Sequence, residues 1–172
     1  MKDGAGIEPD IKTDELKVAP ITIALYSNNH IFHFANQYRY QHKELRDSSH
    51  FSLTDEEYNQ FADFLKGKEY EYTTPSELKL KDLKKSVKED SYSDDVQKVI
   101  TELEEKVKHD KSKDLSKFKP EIKRILEQEI VSRYKYEKGR IANSLKDDLD
   151  VQKAIDVLSD AAKYKSMLTA KK

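Results

Sequence analysis

Cysteine is absent from the 172 residues. That excludes disulfides, thiol catalysis and cysteine-ligated zinc. No run approaches the roughly 18 apolar residues of a membrane helix, so no membrane span is expected. An excess of either charge sign is missing too: Lys+Arg number 32 and Asp+Glu 33. The balance disfavours disorder driven by self-repulsion. It also removes the basic surplus that nucleic-acid binding draws on, so no nucleic-acid partner is expected. Apolar residues are scarce, at 36% with tyrosine counted, against 38% charged. Such a chain builds helices with one buried stripe rather than a thick, multilayered core. There is no Gly-x-Ser-x-Gly elbow, no glycine-rich phosphate loop and no His-Glu-x-x-His helix. No catalytic residue, metal site or cofactor is expected in this chain. The opening Met1–Gly6 carries no apolar leader segment and reads as an artificial start on a fragment, with any targeting signal upstream.

The apolar spacing predicts a mostly α fold: a bundle of six or seven helices, little or no strand, and an extended N-terminal segment. Residues 1–20 are expected to be extended, 21–168 a helical domain and 169–172 a frayed tail. From Ile21 to about Gln41, apolar residues fall at steps of three and four, with Asn28 the one polar interruption. Pro20 precedes the first turn, where its missing N–H does no harm. Thr54 with Glu57, and Thr74 with Glu77, are capping boxes. Gly67 ends the first of these helices. Glu69–Thr73 alternates polar and aromatic residues, as a short strand or an extended link would. Ser93-Asp94-Asp95 opens a helix whose inner face is Val96, Val99, Ile100, Leu103 and Val107. Pro120 either kinks a helix or starts a new one, and a new start near Lys119 is favoured because Glu121 then lies in its first turn. Ile141 and Leu145 extend the stripe beyond Gly139, which costs about 1 kcal/mol relative to alanine in mid-helix. A last helix runs from about Asp148 to Leu158, with Val151, Ile155 and Leu158 inward.

Polar residues mostly read as caps or solvated faces. Ser76, Ser91, Ser93 and Ser112 sit at helix starts or turns. His30 and His33 could face one ligand, but no acidic residue lies at the adjoining turns, and a boundary pair is expected. His42, His50 and His109 are expected to be solvated. Tyrosine–arginine mixtures make recognition surfaces. Tyr38-Arg39-Tyr40 and Arg133-Tyr134, with Tyr136 and Arg140, are the candidates. The alternative is rings packed at the core boundary with wet hydroxyls.

Several segments in order carry a resemblance. Gly4-Ala5-Gly6-Ile7-Glu8-Pro9-Asp10-Ile11 resembles the Gly-Gly-Gly-Ile-x-Pro-Asp stretch that follows the catalytic core of carboxyl-terminal processing (tail-specific) serine peptidases. Glu129-Ile130-Val131-Ser132-Arg133-Tyr134, continuing to Lys138-Gly139-Arg140-Ile141 and Ser144-Leu145-Lys146, is similar to their C-terminal helical region in Bacteroidetes-type bacteria. Ile31–Ala35 and Phe61–Gly67 fit the order between. Ala5 replaces the central glycine of the first motif. The serine nucleophile, the lysine base and the PDZ domain of that family lie before the glycine motif, and none is present here. The resemblance implies a non-catalytic C-terminal domain in the periplasm or cell envelope. It would act in packing, self-association, or docking of a partner or substrate. Its implied partners are the catalytic and PDZ domains of the parent peptidase, a second copy, or an adaptor protein. The alternative is a free-standing helical binding module, an envelope chaperone or adaptor.

Overall fold

A computed structural model of the chain describes residues 9–13, 17–47, 50–108 and 111–169. Most of the glycine motif (residues 4–8), Ser48, Ser49, His109, the side chain of Ser112 and residues 170–172 lie outside the described residues. The fold is all helical: α1 (Pro20–Ser27), α2 (His30–Gln41), α3 (Asp55–Phe64), α4 (Pro75–Glu89), α5 (Asp94–Val107), α6 (Lys111–Lys117), α7 (Lys119–Ser144), a 3-10 turn (Leu145–Asp147), α8 (Leu149–Ser159) and α9 (Ala161–Leu168). Among the described residues there is no strand, and Glu69–Thr73 is an extended link. No helix among them is long and apolar enough to cross a membrane.

Helix starts follow local chemistry. Thr54 accepts from the Glu57 N–H at 3.2 Å, and Glu57 accepts from the Thr54 N–H at 2.7 Å. Thr74 and Glu77 repeat the box at the start of α4. Each box satisfies two N–H groups that the first turn would otherwise leave unpaired. Asp148 and Asp160 cap α8 and α9 more simply, their carboxylates accepting first-turn N–H groups with no reciprocal bond. Lys119 opens α7 with Pro120 in its first turn. The expected single helix over 21–41 is in fact two. Asn28 closes α1 by donating its side-chain amide to the Ala24 carbonyl at 2.9 Å. Asn29 then takes a left-handed φ of 59°, a conformation asparagine tolerates better than most residues.

The core forms where α2 lies on α7. Ile31, Phe34 and Ala35 meet Ile122, Leu126 and Ile130, and Phe51 and Phe61 close the layer. Each of these side chains larger than Ala35 contributes roughly 1.5–3 kcal/mol by leaving water. A second, much smaller cluster holds α4 to α5 through Leu80, Val87 and Ile100, with Val107 at its edge. These two helices pack on each other and make no comparable packing elsewhere. They form an arm standing off the body. At its base the Tyr72 hydroxyl donates to Asp114 at 2.6 Å.

Helix α7 is not one rod. Tyr136 has φ 55° and ψ −158°, far from helical values. A straight helix would separate Glu127 from Lys146 by about 28 Å, yet their side chains meet at 2.6 Å. The chain therefore folds back at Tyr136. This corrects the expected stripe through Ile141 and Leu145: both are exposed, because the segment after the turn faces the body with Gly139 and Asn143 instead. The inward face expected of α8 is also corrected. Val151 is only half-buried, and Ile155 and Leu158 are exposed, because nothing among the described residues covers them.

Candidate functional site

The fold-back assembles a buried polar clasp. Glu127, only 2% exposed, accepts from the Ser52 hydroxyl at 3.0 Å and the Leu53 N–H at 2.9 Å through one oxygen. Its other oxygen accepts from the Lys146 ammonium at 2.6 Å. Lys146 also donates to the Phe51 carbonyl at 2.7 Å, beside the Asn143 amide at 3.1 Å. A serine, a carboxylate and a lysine in one place invite a catalytic interpretation. The geometry opposes it. A lysine base must direct a lone pair at the serine hydroxyl, whereas Lys146 spends its protons on the carboxylate and the carbonyl. The serine donates to a carboxylate that also accepts from a backbone N–H and pairs with Lys146. These groups pin the segment before α3 between the two halves of α7.

A second clasp lies one helix away. The Tyr38 hydroxyl donates to Glu57 at 2.8 Å, and Arg46 reaches the other oxygen at 2.5 Å. Burial alone would raise the Glu57 carboxyl. The Thr54 N–H, the Arg46 guanidinium and the Tyr38 hydroxyl outweigh it and hold the carboxyl below its ordinary range. Burial, then the Glu57 partner, push the Tyr38 hydroxyl up. The sign for stability follows from linkage. A carboxyl with a depressed folded pKa stabilises above its unfolded value, about 4.3, and loses that contribution as pH falls through the folded value. Thermal unfolding followed from about pH 7 down to about pH 3 should therefore show a loss below about pH 4.3. In Glu57→Gln that part of the loss should be absent, with lower stability near neutrality. An identical acid profile in the variant would remove Glu57 from the account.

The seven tyrosine and arginine candidates separate into three groups. Tyr38 is 3% exposed and stacks on His42 at 4.1 Å, so it is a core residue and offers no open surface. Arg39, Tyr134 and Arg133 line the seam between α2 and α7. The Arg39 guanidinium lies 4.5 Å over the Tyr134 ring, and the Tyr134 hydroxyl donates to the His42 carbonyl. Arg133 lies 4.6 Å over Phe32 and bonds Asn36 and Glu129. Tyr40 (90% exposed), Tyr136 and Arg140 reach solvent, Arg140 paired with Glu137. They do not converge on one point. His30 is engaged by the Glu69 carbonyl and the edge of Tyr70. The sequence-based expectations passed over Glu127 and Lys146. The available signal was the position of Glu127, three and four residues before the buried Ile130 and Val131.

One open surface is apolar. Helices α8 and α9 bury no residue, although Ile155, Leu158, Met167 and Leu168 lie on them. Between them and residues 9–13, which bend at Asp10 and Ile11, runs a groove of about 700 Å³, walled by Pro9, Ile11, Ala154, Val157, Leu158 and Met167. The Thr13 hydroxyl donates to Asp150 across it.

No curated protein and no solved structure matches the chain. A family model described as "Probable PDZ-protease, C-terminal helical domain" matches residues 21–158, from the first turn of α1 to the last turn of α8. With its all-helical body and a match over most of its length, the chain belongs to this family of PDZ-protease C-terminal helical domains.

Proposed function

We propose that this domain is the non-catalytic scaffold of a carboxyl-terminal processing serine endopeptidase of the cell envelope, and that it docks onto the protease body through α8 and α9. The observation that carries this is the uncovered apolar hairpin: Leu158, 65% exposed, with Ile155 and Leu168. Apolar surface gathered in one place marks a contact, because exposing it costs roughly 25 cal/mol per Å². In a C-terminal domain the protease precedes the helices. Residues 9–13, on that side of the chain, line the same hairpin. The protease body therefore arrives next to the surface that needs covering.

Hydrogen exchange of residues 149–168, in the isolated chain and in the parent protease, tests the docking. Exchange in the parent should slow by about tenfold or more, the effect of roughly 1.4 kcal/mol of local stabilisation. Ile155→Asp with Leu158→Asp should abolish the slowing and leave the body folded. Equal exchange in both settings would place the protease elsewhere. The isolated chain should not cleave unfolded protein substrates. Cleavage lost in Ser52→Ala would overturn the non-catalytic assignment.

A further inference from the structure

The α4–α5 arm carries a second uncovered apolar face, and its chemistry specifies an occupant. Leu80 and Val87 on α4 meet Ile100 on α5, with Val107 at the edge. Lys84 pairs with Glu104 across one flank of this seam. At 100° per residue, Leu83 on α4 and Val96, Val99 and Leu103 on α5 fall together on the opposite flank. All four are exposed, Val99 at 62%. Leu78 lies away from that flank, lining a crevice with Lys81, Glu104 and Lys108. A two-helix hairpin with three buried side chains and an apolar flank is half of a four-helix bundle.

The charges bordering that flank are not evenly spread. Lys79 and Lys106 lie at the base of the arm, where α4 begins and α5 ends. Asp90 and Asp95 lie at its tip, where α4 ends and α5 begins. All four are exposed. Asp95 also sits 3.6 Å from Lys98, an exposed pair worth little. A copy of the same arm laid antiparallel, tip against base, puts each cationic end on an anionic end, twice, by two-fold symmetry. A parallel copy would set lysine on lysine and aspartate on aspartate.

We infer that this flank of the α4–α5 arm is a self-association surface, pairing two copies of the chain antiparallel through Leu83, Val96, Val99 and Leu103. With helices of 15 and 14 residues, the arm is about 22 Å long. One flank of it offers a few hundred Å² per copy, at the low end of specific interfaces, so the dimer is reversible, with a Kd on the order of 10 μM. This surface is separate from the α8–α9 hairpin, and either assignment can fail without the other.

Sedimentation equilibrium of the full chain, from about 1 to about 500 μM, should show monomer passing to dimer around that Kd. Val99→Glu with Leu103→Glu should weaken it at least about tenfold, and Leu78→Glu, away from that flank, should leave it unchanged. Charge reversal supplies a second arm of the test. Lys79→Glu with Lys106→Glu makes both ends anionic, and Asp90→Lys with Asp95→Lys makes both ends cationic. Each variant alone should lose dimer, and an equimolar mixture of the two should regain it. A chain that remains monomeric throughout the range overturns the proposal. So does a dimer indifferent to Val99→Glu with Leu103→Glu, or a mixture that does not re-form. Slowed exchange on this flank only when the protease precedes the domain would give the surface to the protease body instead.

Discussion

Glu127→Ala should cost about 3–5 kcal/mol of folding stability, the range for removing one partner of a buried, hydrogen-bonded ion pair. The loss comes from what is left behind. Lys146 keeps its charge at a partly buried position without the carboxylate 2.6 Å away, and the buried Leu53 N–H loses its acceptor. In urea, where small domains lose about 1–3 kcal/mol per molar, the midpoint should fall by more than about 1 M. Replacing both charges, Glu127→Leu with Lys146→Met, should recover much of the loss, because Lys146 no longer leaves a charge behind and Lys123, a looser partner of Glu127 at 3.9 Å, is a quarter exposed and reaches solvent. A single-variant cost below about 1 kcal/mol would mean that solvent satisfies these groups and that the clasp does not hold the segment before α3.

Gly139→Ala should destabilise the domain by about 2–3 kcal/mol, and its sign is the more informative part. In an uninterrupted helix the same change is favourable by about 1 kcal/mol. Here the added Cβ would lie 2.2 Å from the Lys135 Cβ and 3.1 Å from Val131 Cγ1. The fold-back brings the two halves of α7 together at this glycine, leaving no room for a methyl group. Tyr136→Gly should act in the opposite direction. A tyrosine held at φ 55° and ψ −158° is strained by about 1–3 kcal/mol. Glycine relieves that strain and gives back about 0.5–1 kcal/mol in chain entropy, for a net gain near 1 kcal/mol. In a straight helix it would cost about that much instead. Thermal unfolding of the two variants settles the geometry: Gly139→Ala stabilised and Tyr136→Gly destabilised would mean a continuous rod.

The contrast between these positions explains what could be read from the sequence. Helix starts were legible because their chemistry is local: Thr54 and Glu57, or Thr74 and Glu77, satisfy each other within three residues. Pro120 likewise marked the start of α7. The break after α1 left a partial trace, since Asn28 was already the one polar residue in an apolar stripe. The reversal at Tyr136 left none at the turn itself, which holds neither glycine nor proline. Only Gly139, three residues on, records the close approach, and a glycine there also fits a tolerated mid-helix defect. The clasp at Glu127 joins groups 74 and 75 residues apart, beyond the reach of periodicity. For α8 the apolar spacing was read correctly as a face. The inward assignment failed because no described residue packs over that face. The tyrosine–arginine candidates separated because composition does not distinguish a ring stacked under His42, such as Tyr38, from one in open solvent, such as Tyr40.

The hydrogen bond between Tyr72 and Asp114 has an evolutionary corollary. It places the two points where the chain leaves and rejoins the body within reach of a single hydroxyl and carboxylate, although 42 positions separate them. The intervening outgrowth is thus a graft with a small cluster of its own, apart from the core of the body. Relatives could lengthen, shorten or discard the graft by rejoining two neighbouring ends, and none of the residues beneath would need to move.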